Sequence, residues 1–149
     1  MDVHDVPVET MDPLEFARLV KQMRGDELRG LMRGERRTAI LDHLVAGMTS
    51  AFRPEVAGNT RAVVHWRIGD RPDGGADTYQ MVIGDGRCVL SPSPSGEPQL
   101  TLSLDAADYV NLVTGNAHAV VLVMRGRMKT SGDLGLTARF PRFFAAPRP

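Results

Sequence analysis

The sequence predicts an α+β fold, in which an antiparallel sheet carries helices on one face and water on the other. Three observations predict it. Apolar residues recur at helical spacing through the first third of the chain, at Phe16, Leu19, Val20 and Met23 and again at Ile40, Leu41, Leu44, Val45 and Met48. The middle third instead alternates, with Ala62, Val64, Trp66 and Ile68, then Leu100, Leu102 and Leu104, at every second position. The residues between them include Arg61, His65, Arg67, Thr101 and Ser103. A polar second face belongs to a sheet covered on one side only.

Taken in order, residues 1–11 read as a flexible arm. Asp12 stands where a helix cap belongs, with Pro13 in the first turn, and Gly25 ends this first helix. A second, short helix is expected over Asp26 to Met32, broken by Gly34, and a third from about Glu35 to Met48. Residues 12–48 are thus N-terminal helices. Thr49 to Asn59, with Pro54 and Gly58, reads as a linker. Strands follow at Thr60 to Ile68 and Thr78 to Ile83. Asp85-Gly86 is a tight hairpin signal into a third strand, Arg87 to Leu90. The Pro/Ser/Gly-rich stretch Ser91 to Pro98 crosses to Gln99 to Leu104.

Asp105 is expected to cap a helix bearing Tyr109, Leu112 and Val113, which Gly115-Asn116 stops. Ala119 to Met124 reads as a short helix, although its β-branched content leaves a strand open. Arg127 to Ser131 is the last strand. Asp133 caps a closing helix carrying Leu134, Leu136 and Phe140, bent or ended by Pro141. The sheet and C-terminal helices fill 60–144, and the whole of 1–149 is read as a single domain.

Composition excludes several functions. The 149 residues carry no net charge, so no global field draws the molecule to nucleic acid or an anionic membrane. The lone Cys88 cannot form an internal disulfide, and no apolar run approaches the roughly 18 residues of a membrane span. The N-terminus is mixed and acidic, unlike a signal peptide. A soluble cytoplasmic protein is expected. His4, His43, His65 and His118 show no metal-ligand spacing, and Cys88 reads as a packed small residue. Gly84-Asp85-Gly86 is a turn and not a dinucleotide fingerprint, because no helix follows it. No cofactor is expected. The one conceivable acid–base pair is His65 with Asp77, brought together across strands. Arg125, Arg127, Lys129, Arg139, Arg142 and Arg148 gather late in the chain against Asp133 alone. They form either an ordinary solvated face or a patch for acidic lipid headgroups. Phe140, Phe143 and Phe144 close the core or form a membrane-touching lip.

Several stretches carry a resemblance. Asp77-Thr78-Tyr79-Gln80-Met81-Val82-Ile83 with Asp85-Gly86, and Leu100 through Tyr109, are similar to the sterol carrier protein type 2 family. So are Leu112-Val113-Thr114-Gly115-Asn116 and Met124 through Leu136, whose most specific part is Gly126, five residues, then Gly132-Asp133. The similarity runs from about Thr38 to Phe144, and the added N-terminal helices look like its bacterial stand-alone branch.

The resemblance implies a five-stranded, mostly antiparallel sheet with helices on one face and an apolar tunnel between them. The tunnel would hold fatty acyl chains, sterols or similar lipids, and Leu134, Leu136, Phe140 and Phe143 of the closing helix would line or gate it. Pro141 departs from the family pattern by shortening that helix. Trp66, Met81, Leu102, Leu104, Tyr109, Val113, Leu122, Met124, Met128, Leu136 and Phe140 are the expected wall. On this reading Lys at Leu104 or Leu136 should abolish uptake. The expected partner is a small hydrophobic ligand, lipid or sterol-like, with at most transient membrane contact and no nucleic acid; the residues name neither the exact ligand nor an oligomeric state. The chain is then a non-enzymatic carrier. An accessory interaction module with a solid interior, or an enzyme using His65 and Asp77, are the alternatives.

Overall fold

The computed structural model describes residues 7–91 and 93–147. It contains helices α1 (Pro13–Gln22), α2 (Gly25–Met32), α3 (Arg37–Ser50) and the single turn α4 (Pro54–Ala57). Strands β1 (Ala62–Gly69), β2 (Asp77–Gly84), β3 (Arg87–Ser91) and β4 (Leu100–Asp105) follow. Then come α5 (Ala106–Val113), α6 (Ala119–Met124), β5 (Met128–Gly132) and α7 (Leu134–Arg139). The α+β class and the five strands agree with the sequence reading.

The sheet order is β3-β2-β1-β4-β5. Only β1 and β4 run parallel; the other three pairings are antiparallel. The β2–β3 hairpin turns on Asp85 and Gly86, both with positive φ (52° and 73°), the combination whose twist matches the flanking strands. Ala62, Val64, Trp66, Ile68, Met81, Ile83, Leu100, Leu102, Leu104 and Met128 form the buried inner face, under the helices. On the outer face His65 stands opposite Gln80, and Arg67 opposite Thr78. Gln80 is nevertheless buried, because the crossover loop lies over it. Its Oε1 accepts from the Ser95 and Gly96 amides (3.1 Å each), and its Nε2 donates to Ser91 Oγ (3.2 Å).

The helical layer is tied to the sheet by an arginine on the buried stripe of α3, three and four residues before Ile40 and Leu41. Arg37, 4% exposed, spends all five of its N–H donors. Nε donates to Asp77 Oδ2 on β2 (3.1 Å), and Nη1 to the carbonyls of Met32 (3.2 Å) and Asp70 (3.1 Å). Nη2 donates to the carbonyls of Ile68 (3.0 Å) and Gly69 (3.1 Å). One guanidinium thus joins the end of α2, the end of β1 and the start of β2.

The family-like motifs have mechanical explanations. At Gly115-Asn116 the Asn116 amide returns to the Asn111 carbonyl (2.8 Å) and that of Gly115 to Leu112 (3.2 Å), the double closure of a Schellman stop. The Asn116 side chain then donates to the Ala17 carbonyl (3.0 Å), docking α1 on the end of α5. Gly126 ends α6 in the left-handed region (φ 70°). A Cβ on Gly132 would lie 2.1 Å from the Gln99 carbonyl oxygen, so β5 approaches β4 closely only because that atom is missing. Asp133 then caps α7, its Oδ1 accepting from the Leu136 amide (2.8 Å).

Some expectations need correction. Residues 1–6 of the expected arm lie outside the described residues, but Val8–Thr10 forms a 3-10 turn and Val8 is buried in the core. The first helix ends at Gln22, and Gly25 opens α2 instead of closing α1. The linker over 49–59 contains the end of α3 and all of α4. It is held by backbone bonds from Arg53 to Phe143 (2.7 Å) and from Ala145 to Ala51 (2.9 Å). Asp105 sits at the cap position of α5 without a capping bond, because the chain enters the helix straight from β4. Asp108, in the first turn of α5, accepts from Arg127 Nε (2.9 Å).

Two stability outcomes follow. Arg37→Ala removes a buried donor from four carbonyls and leaves Asp77 with Arg71 alone, and should cost about 3–5 kcal/mol in urea unfolding. Gly132→Ala should destabilise far more than Gly126→Ala, which meets open space and should lose only about 1–2 kcal/mol for its left-handed backbone. Equal midpoints for the two glycine variants would contradict the close approach at Gly132.

Candidate functional site

A row of inward side chains crosses the sheet in register: Trp66 on β1, Leu102 on β4 and Thr130 on β5. Above them the helices do not close. An apolar cavity of about 500 Å³ lies between this row, extended by Met128, and the helical layer. From α3 it takes His43, Leu44, Gly47 and Met48, spaced to share one helix face, followed by Ala51. The N-terminal segment adds Val8, Met11 and Phe16. Leu112, Val113 and Thr114 end α5 on the opposite side, and α6 contributes Ala119, Val120, Val123 and Met124. Thr137, Ala138, Phe140, Pro141 and Phe144 close the far end.

Small residues on the wall, Gly47, Ala51, Ala119 and Ala138, project little side chain into the space. A dry, sealed void of this size would cost about 12 kcal/mol, at about 24 cal/mol per Å³. That is comparable with the whole stability of a domain, about 5–15 kcal/mol. The space is therefore not a sealed packing defect. Val120, Val123 and Met124 line it and are also exposed, so it reaches the surface beside α6.

Its electrostatics are spare. Among the described residues no Lys, Arg, Asp or Glu lines it, and His43 is the one ionisable group. The Thr114 and Thr137 hydroxyls are committed to the Val110 and Asp133 carbonyls (2.7 Å each). Two buried donors near the floor are poorly served. Trp66 Nε1 has no partner among the described residues, and the Tyr109 hydroxyl donates to the Met48 thioether (3.0 Å), a weak acceptor. Their rings pack edge to face at 5.2 Å, with Phe140 on the indole at 5.9 Å. Burial pushes the Tyr109 phenol well above its usual pKa. A second depression, of about 730 Å³, lies on the outer sheet face between Arg61, Asp85, Arg87 and Gln99. Charged and polar groups wall it and it is more open to solvent, so the smaller apolar cavity is the better ligand site.

Of the expected wall residues, Trp66, Leu102, Val113, Met124, Met128 and Phe140 line the cavity. Met81, Leu104, Tyr109, Leu122 and Leu136 do not; all five are buried in the packed core beside it. Period-2 alternation identifies the inward face of a strand but not which stretch of it the helices leave uncovered. Lys at Leu104 or Leu136 would therefore break the core without probing the cavity. Of the four residues expected to line or gate it from the closing segment, Phe140 alone does so: Leu134 is 85% exposed, while Leu136 and Phe143 are core residues. The contribution of α3 was missed. Its traces in the sequence are Leu44 and Met48 on the stripe and Gly47 in a helix interior, where glycine is unfavourable.

The acid–base pair is not assembled. His65 lies on the outer face against Gln80 Oε1 (2.9 Å), whereas Asp77 lies on the inner side, bound by Arg37. Burial pushes the Cys88 thiol up to about 11, away from thiolate chemistry.

The profile of the SCP-2 sterol transfer family matches residues 42–145. Among curated proteins, hydroxysteroid dehydrogenase-like protein 2 of Xenopus tropicalis is 30% identical over 54 residues, which are 36% of this chain and 13% of that protein. The chain thus spans only a small part of the curated relative it matches. Among solved structures, the sterol carrier protein domain 2 of Helicoverpa armigera superposes with a TM-score of 0.57 at 16% identity, covering 70% of this chain and 81% of that one. Palmitated SCP2L2 from Aedes aegypti superposes with a TM-score of 0.56 at 14% identity, covering 71% and 96%. At these identities the likeness shows the fold.

The cavity boundary can be checked by two substitutions. Thr130→Phe should fill the space, leave stability within about 1 kcal/mol of the parent and weaken uptake of a fluorescent acyl probe about tenfold or more. Met81→Ala should cost about 2–5 kcal/mol yet leave probe affinity of the folded protein unchanged. The reverse pattern would move the site to the β2 side of the sheet.

Proposed function

The chain belongs to the SCP-2 sterol transfer family, and from that premise we propose that it binds one hydrophobic ligand, lipid or sterol-like, in the cavity over Trp66, Leu102 and Thr130. The tunnel that the family resemblance implies corresponds here to that cavity. The observation that carries the reading is a lining that, among the described residues, holds no Lys, Arg, Asp or Glu around a volume of about 500 Å³, within the roughly 300–1,000 Å³ of small-molecule sites. Burial of apolar surface, at about 25 cal/mol per Å², drives binding with little headgroup selectivity. An anionic headgroup has no cation to meet inside, so it stays at the mouth while the apolar body enters. The palmitated Aedes structure supports a ligand of acyl character.

The protein performs no chemistry on its cargo in this reading. It acts as a single carrier domain, at most transiently in contact with membranes, and works in the cytoplasm of a bacterium. No helix among the described residues is long and apolar enough to cross a membrane. The accessory-module alternative draws on the curated relative, of which this chain matches a small part. It expects a solid interior, and the cavity weighs against it.

Native mass spectrometry on freshly purified protein, followed by solvent extraction, tests the proposal. A bound mass that extracts as fatty acid, phospholipid or sterol-like material is the expected result. Trp66, the sole tryptophan, should change its emission when an acyl probe enters. An apo mass in a protein that takes up no probe and shows no emission change would overturn the carrier reading.

A further inference from the structure

The least explained surface of the molecule is α6. Of its six residues only Leu122 is buried. Val120 (69% exposed) and Met124 (81%) point away from that anchor together with Val121, and Val123 is exposed at their flank. Single exposed apolar residues are ordinary; four on one two-turn helix, three of them β-branched and poor helix formers, are not. Core packing gives no reason for them, since the core needs only Leu122.

Two further observations indicate what covers this surface. The helix borders the cavity, which Val120, Val123 and Met124 also line, so whatever covers α6 adjoins the ligand's route. The sequence around it is also one-sided in charge. From residue 109 to 149 the only acid is Asp133, engaged in capping α7, against Arg125, Arg127, Lys129, Arg139, Arg142 and Arg148, in a chain of zero net charge. Arg127 is committed to Asp108, whereas Arg125 directly follows α6 and Lys129 sits on the neighbouring edge strand β5, both as exposed cations.

We infer that α6 is a membrane-docking lip: its valines and Met124 enter the interface of an anionic bilayer while Arg125 and Lys129 meet the headgroups. The inference rests on the carrier reading and adds where cargo is exchanged. A lipid surface fits better than a protein. Six helical residues span only about 9 Å, far short of the roughly 800 Å² per partner of a stable protein interface. A second copy would in addition bring like charges together. A small apolar wedge ringed by cations is what an interfacial helix needs.

Vesicle co-sedimentation tests this with Val121→Asp/Arg125→Glu, because neither residue lines the cavity. Wild type should bind vesicles of phosphatidylcholine with phosphatidylglycerol better than phosphatidylcholine alone. The variant should bind the anionic vesicles about tenfold or more weakly, with uptake of a fluorescent fatty acid from free solution unchanged. Arg125→Gln/Lys129→Gln, which removes charge without adding any, should lose the anionic preference even if the first variant folds poorly. Wild-type protein that ignores anionic vesicles, or variants that sediment as wild type does, would overturn the inference. Vesicle binding through α6 in a protein that takes up no probe would instead sink the carrier reading and leave the docking surface standing.

Discussion

Everything above the sheet depends on the buried guanidinium of Arg37. It satisfies four backbone carbonyls and one carboxylate from three elements at a single point, the end of β1. A buried ion pair of this kind contributes little net stability compared with a well-packed apolar cluster. Its contribution is positional: it sets where α2 and α3 sit on the sheet without requiring that the space between them be full. The helical layer is further held by Asn116 on α1 and by the backbone bonds joining the 51–53 and 143–145 segments. With the layer held at those places, Gly47, Ala51, Ala119 and Ala138 can leave a gap that side chains elsewhere do not collapse into.

The family-like signature belongs to this scaffolding and not to ligand contact. Gly126 lets the chain leave α6, Gly132 lets β5 approach β4, and Asp133 starts α7. Together they put α6 and the Phe140–Phe144 segment on the wall of the cavity. The ligand chemistry is carried instead by residues with no distinctive spacing, chiefly threonines, alanines and methionines. A motif search finds the frame of the site before it finds the site.

That division explains what was legible in the sequence. Strict alternation at Ala62–Ile68 and Leu100–Leu104, the Asp85-Gly86 turn and the glycine stops after α5 and α6 each have one local solution, and the structure adopts it. Where two solutions share one pattern, the sequence reading failed. Ile40, Leu41 and Val45 fill the core while Leu44 and Met48 face the cavity, on the same α3 stripe. Met81 and Leu102 are both inward strand residues, yet only Leu102 meets open space. Val8 looks like part of an arm until a 3-10 turn folds it beneath α3. Each miss concerns non-local packing, which periodicity does not encode.

The central claim is that the ligand occupies the gap above Trp66, Leu102 and Thr130 and no other part of the core. The methionines allow a direct measurement, because Met48, Met124 and Met128 line the cavity while Met32 and Met81 are buried away from it. Methyl-resolved NMR of ¹³C-methyl-methionine protein, titrated with a saturated fatty acid, reads both sets at once. The account predicts intermolecular contacts to the Met48 and Met128 methyls and none to Met32 or Met81. Contacts confined to Met81, or a titration that moves no methionine methyl, would contradict it.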